Sequence, residues 1–94
     1  MRSRQVSESS PFSPDTERQR IIVFTQPDSL PCEAVKLFLD DRGVAYEEKD
    51  VVASPNLARE MVEKYCSRST PTVVVGDEVV IGFNPERIDQ LLAR

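Results

Sequence analysis

In the stretch Thr25-Gln26-Pro27-Asp28-Ser29-Leu30-Pro31-Cys32, a thiol stands three residues after a serine, where an apolar strand-like run meets an amphipathic helix-like run. Two cysteines at that spacing, C-x-x-C, would put a nucleophilic thiolate at a helix N-terminus and a second thiol one turn in, ready to resolve a mixed disulfide. This chain keeps only the inner thiol, Cys32, and has Ser29 in the outer position. A hydroxyl forms no disulfide, and the sequence contains no histidine to activate it as a nucleophile. Serine is, however, among the best residues for capping a helix N-terminus. The motif therefore reads as a dithiol redox site whose outer thiol is replaced, with dithiol exchange expected to be lost or altered.

The remaining titratable groups narrow the chemistry. At Cys32 the helix N-terminus favours a thiolate, Asp28 and Glu33 oppose it, and Lys36 one turn on offsets part of that negative charge. Cys32 reads either as a small buried residue filling the helix start or as a slow single thiol open to a mixed disulfide. Cys66, the other cysteine, reads as a buried helix-end residue, and a Cys32 to Cys66 bridge is disfavoured. Two cysteines do not make a secreted disulfide scaffold, and no apolar stretch reaches the length of a signal segment or a membrane span, so a cytoplasmic protein is expected. Without histidine, zinc sites and Cys-His hydrolysis are not expected, nor is any metal. The net charge of −4 argues against a nucleic-acid surface; from Ile21 onward eight basic residues face thirteen acidic ones.

The elements that must position this motif follow from the pattern. Residues 1–19 are rich in Ser, Pro, Arg and Glu, with only Val6 and Phe12 as sizeable apolar residues, and read as a disordered tail carrying a Ser13-Pro14 step. Residues 20–94 read as one small domain. Ile21-Ile22-Val23-Phe24 has the continuous apolar character of a central strand. Ala34, Val35, Leu37, Phe38 and Leu39 give a helix ending at a left-handed Gly43, with Asp40, Asp41 and Arg42 on its wet face. Val44 to Val51 reads as an exposed edge strand. Ser54-Pro55 starts a second helix whose Leu57, Ala58, Met61, Val62 and Tyr65 recur at helical spacing up to Cys66. Thr72 to Val75 and Glu78 to Gly82 form a hairpin about Gly76-Asp77, and Asn84-Pro85 caps a last helix with Ile88, Leu91 and Leu92 inward. The order β-α-β-α-β-β-α specifies an α/β fold: a four-stranded mixed sheet with helices on both faces, which at this size fits the thioredoxin-like fold.

From Ile21 to Leu92 the chain resembles the glutaredoxin family. Val23-Phe24-Thr25 looks like the family's first strand running into its active-site loop. Val35 to Tyr46, V-K-L-F-L-D-D-R-G-V-A-Y, looks like its helix and the start of strand two. Thr70-Pro71 resembles the segment whose proline is cis in the family. Gly82-Phe83-Asn84-Pro85-Glu86-Arg87-Ile88 resembles the G-F-x-P close of glutaredoxin-like redoxins that serve ribonucleotide reductase and take electrons from thioredoxin reductase. The resemblance implies thiol-disulfide oxidoreductase ancestry, with Ser29 and Cys32 at the catalytic positions and Arg68, Thr70, Pro71, Gly82 and Phe83 along the groove for substrate or glutathione. Arg68 stands where the family often places a residue facing glutathione's carboxylate, whereas Phe83 replaces the polar segment that holds the γ-glutamyl end. Phe83 also reads as a plug over the sheet end.

Implied partners are a protein thiol or disulfide and a thioredoxin-reductase-type donor, with no cofactor beyond glutathione as a substrate and with a monomeric chain. Two alternatives stay open: a non-catalytic binding module for an extended peptide or glutathione, and an engineered Cys-to-Ser form of an active redoxin. A transferase-like use of Ser29 toward glutathione lacks the Glu-Ser pair and the helical second domain that such enzymes carry. Iron–sulfur assembly lacks the outer thiolate.

Overall fold

A computed structural model of the chain describes residues 20–93; the readings made for residues 1–19, including Ser13-Pro14, lie outside the described residues. The element order is β1 (Ile21–Thr25), α1 (Leu30–Asp41), β2 (Glu47–Asp50), α2 (Pro55–Tyr65), β3 (Thr72–Val75), β4 (Glu78–Ile81) and α3 (Pro85–Leu92). The sheet order is β2-β1-β3-β4, with β1 parallel to β2 through the α1 crossover and antiparallel to β3, which pairs antiparallel with β4. β1 is thus an interior strand, and all five of its residues are buried.

Because side chains alternate across a strand, β1 feeds two cores at once. Ile21 and Val23 pack with Val35 and Leu39 of α1 and with Ile88 and Leu91 of α3. Ile22 and Phe24 point the other way, to Met61 of α2 and Val74 of β3, and the Phe24 and Tyr65 rings meet at 5.5 Å. Helices therefore cover both faces, α1 and α3 on one and α2 on the other.

Local chemistry sets the ends. α1 begins at an extended Ser29 and stops where Gly43 takes a left-handed φ of 66°, its N–H donating to the Asp40 carbonyl. Within α1 the buried residues are Cys32, Val35 and Leu39, spaced for one face, and Leu37 is 62% exposed although it belongs to the apolar run that marks the helix. β2 is shorter than the Val44 to Val51 reading. Val44 and Tyr46 pack against the α1 layer instead of extending the strand pairing, and Asp50 Oδ1 accepts the Val52 and Ala53 N–H groups to end the strand in a turn. α2 starts with Pro55 after Ser54, whose hydroxyl makes no capping hydrogen bond.

The expectation of a buried Cys66 is corrected. Cys66 ends α2 in a left-handed conformation, φ 56°, which turns the chain out of the helix and leaves the residue exposed.

Candidate functional site

Strand register brings the motifs together. Thr72 of β3 lies opposite Phe24 of β1 on one side and Ile81 of β4 on the other. The loop that leaves β1 after Thr25, the Thr70-Pro71 segment that precedes β3 and the Gly82-Phe83 segment that follows β4 therefore share one end of the sheet. A hydrogen bond of 2.8 Å from the Gly82 N–H to the Pro71 carbonyl ties two of them directly. The Thr70–Pro71 peptide is cis, and Pro71 is buried. Gly82 has φ 85°, and a Cβ there would meet nothing within 4 Å, so the backbone turn itself is what calls for glycine.

Ser29 and Cys32 sit where the loop turns into α1. Asp28 takes φ 58°, a conformation aspartate tolerates better than most residues, and this bend delivers Ser29 as the N-cap. Ser29 Oγ accepts the Cys32 N–H at 3.4 Å, and its carbonyl accepts the Glu33 N–H at 3.1 Å. Cys32 has no exposed surface, while the exposed thiol is Cys66; both are free, so no Cys32–Cys66 bridge is formed. Attack on or by a thiol requires in-line access to sulfur, so Cys32 can react only after the groups over it move aside.

A polar network behind the turn joins Lys36 and Glu33 to Thr25 and to Glu48, which the sequence did not mark. Thr25, buried at the end of β1, donates from Oγ1 to Glu48 Oε2 at 2.8 Å. The same carboxylate oxygen accepts from Lys36 Nζ at 3.2 Å, and Lys36 also pairs with Glu33 at 3.2 Å. Hydrogen bonds to Glu33 and then Glu48 hold the Lys36 ammonium above its ordinary range. Lys36 thus offsets Glu33, as its spacing suggests, and shares its charge with Glu48.

Beneath the Thr70-Pro71 segment lies a second unmarked group. Thr72 Oγ1 lies 2.6 Å from both the Ser69 carbonyl and Ser67 Oγ, and Ser67 Oγ also reaches the Ser69 carbonyl at 3.3 Å, so the two hydroxyls share their hydrogens among these three oxygens. Ser67 Oγ in turn accepts the Ser69 N–H at 3.4 Å. Both hydroxyl residues are fully buried, and together they close the loop that carries Arg68, Thr70 and Pro71. The signal was a polar pair five apart flanking the proline, but nothing local distinguishes it from a solvated loop.

Arg68 is exposed on that loop. Phe83 is 40% exposed and packs edge-on against Phe38 of α1 at 5.8 Å, so it lies against the α1 layer as a rim residue and not as a closed plug. Leu30, immediately after Ser29, is 84% exposed. The described residues hold no group of three or more His, Cys, Asp or Glu side chains able to bind a metal ion, and no helix long and apolar enough to cross a membrane.

Comparison with known proteins agrees with this geometry. The glutaredoxin family model matches residues 21–80. The chain is 35% identical over 74 residues to the Gene 56 protein of Mycobacterium phage D29, covering 77% of this chain and 81% of that one. To the glutaredoxin-like protein NrdH of Escherichia coli K12 it is 33% identical over 72 residues, covering 77% and 88%. Among solved structures, the thioredoxin-like protein BC3987 has 49% identity and a TM-score of 0.75, covering 78% of this chain and all of that one. Sheet order, helix placement and sequence agree on one conclusion: the chain belongs to the glutaredoxin family and has its thioredoxin-like fold.

Proposed function

We propose that this protein is a redoxin that holds a protein thiol or disulfide partner in the groove between Ser29, Thr70-Pro71 and Gly82-Phe83 and does not itself run dithiol exchange. The observation that carries this reading is Ser29, which occupies the outer position of the C-x-x-C site and uses its oxygen to accept the Cys32 N–H. The fold at this position offers a capped helix start but no outgoing thiolate, and Cys32 is covered. Exposed apolar side chains, Leu30 and Phe83, suit the flanks of an extended polypeptide. Arg68 is the candidate contact for a carboxylate, of the partner or of glutathione. Such a role belongs in the cytoplasm, with the chain as a monomer and a thioredoxin-reductase-type protein among its partners.

The test is turnover of insulin and of hydroxyethyl disulfide in the presence of a thioredoxin-type reducing system. The native chain is expected to show no dithiol turnover, and Ser29→Cys is expected to gain it, because the remaining scaffold is complete. Turnover by the native chain at a dithiol rate, or a Ser29→Cys protein as inert as the native one, would overturn the reading.

A further inference from the structure

At the far end of α1 a side-chain chain leads back to the groove. Arg42 donates from Nε to Asp89 Oδ1 at 2.7 Å and from Nη2 to Asp89 Oδ2 at 3.0 Å, a two-pronged pair between the end of α1 and α3. Its guanidinium carbon lies 3.6 Å from the centroid of the Phe38 ring, and Nη1 donates to the Phe38 carbonyl at 3.4 Å. Phe38 in turn meets Phe83 at 5.8 Å with an interplanar angle of 76°, the edge-to-face geometry that aromatic pairs favour. Phe83 directly follows Gly82, whose N–H is bonded to Pro71. An exposed ion pair contributes little to stability, and the pair here is half-exposed on both sides. What a planar fork stacked on a ring does supply is orientation.

We infer that Arg42 is a positioning residue for the partner groove: fixed by Asp89, it fixes the Phe38 ring, and Phe38 holds Phe83 at the rim beside Pro71. This inference rests on the reading that the groove binds a polypeptide. On that reading a polypeptide extends to Phe83 and a small disulfide does not, so substrate size separates a positioning role from a general loss of fold.

The first experiment is carried out on the native chain. In nuclear magnetic resonance spectra, the Phe38-to-Phe83 ring contacts are expected to be strong, to vanish in Arg42→Met and to weaken in Asp89→Asn, with Arg42→Lys failing to restore them because an ammonium cannot fork or stack. Persistence of those contacts in both Arg42→Met and Asp89→Asn overturns the inference whatever the protein's activity. The second experiment places the same substitutions in the Ser29→Cys protein. With insulin, KM is expected to rise about tenfold at unchanged kcat, while hydroxyethyl disulfide turnover stays within about twofold. Equal losses on both substrates, or no change on insulin once the ring contacts are lost, overturn it as well. If Ser29→Cys turns over neither substrate, the functional reading fails and the ring-contact experiment alone decides the inference.

Discussion

At the scale of single residues, the two thiols divide the redox chemistry by access. Cys32 lies under the first turn of α1 with no exposed surface, and Cys66 stands outside on a left-handed helix end. Iodoacetamide is expected to modify Cys66 in the native state and Cys32 about a hundredfold or more slowly, since each tenfold of protection needs only about 1.4 kcal/mol of opening free energy. Mass spectrometry of the two tryptic thiols reads this directly; equal rates would show that the turn opens freely. Asp89 supplies a pH signature. Its hydrogen bonds to Arg42 hold its carboxyl below the ordinary range, so its contribution to stability is present above the usual carboxylate pKa and is lost as pH falls through the lowered one. The melting temperatures of the native chain and Asp89→Asn are expected to differ slightly at neutral pH and to converge as pH falls below the ordinary carboxylate range. What the sequence showed at this scale was local. Ser29 before a helix and Gly43 after one announce their roles by residue type alone. The Arg42–Asp89 pair spans 47 positions, and no short-range pattern joins them.

At the scale of elements, the sheet end that carries Thr70-Pro71 and Gly82-Phe83 is held by what flanks it. The Ser67–Thr72 hydroxyl pair fixes the loop into β3 just as Ser29 fixes the start of α1. Thr72→Val keeps the shape, removes a hydroxyl and leaves Ser67 with a poorer partner, so it is expected to cost about 1–3 kcal/mol. Urea denaturation gives that figure, and hydrogen exchange should speed up at the Ser69 and Thr70 amides ahead of the rest of β3. A stability within about 0.3 kcal/mol of the native value would show that the clasp contributes no more than an ordinary surface pair. Element existence was legible because β1 is a short, β-branched apolar run and α2 carries its apolar residues at helical spacing. Ends and faces were less so. Leu37 sits in an unbroken apolar run, yet only the helical spacing of Cys32, Val35 and Leu39 meets the sheet. Val44 and Tyr46 look like strand residues by type, but the helix layer recruits them first.

For the whole molecule, β1 is the shared floor of two cores, and a small domain leaves little margin. Leu39→Ala opens a cavity among Val23, Val35 and Ile88 and is expected to cost about 2–5 kcal/mol, a large part of the roughly 5–15 kcal/mol typical of such domains. Thermal unfolding followed by circular dichroism measures it; a drop in melting temperature of only a degree or two would mean that the α1 layer collapses around the void.

The two cores are unequal. One is built on α1 and α3, which bury Cys32, Val35, Leu39, Ile88 and Leu91, whereas α2 brings a single buried residue, Met61, to the other. Cooperative units open in order of how much they bury. Hydrogen exchange is therefore expected to show α2 lifting first and baring Ile22, Phe24 and Val74 of the sheet, while the turn carrying Ser29 stays seated on the thicker layer. Because the Ser67 N–H donates to the Met61 carbonyl, that lifting also pulls on the loop that carries Arg68, Thr70 and Pro71, whereas the Ser29 turn is spared.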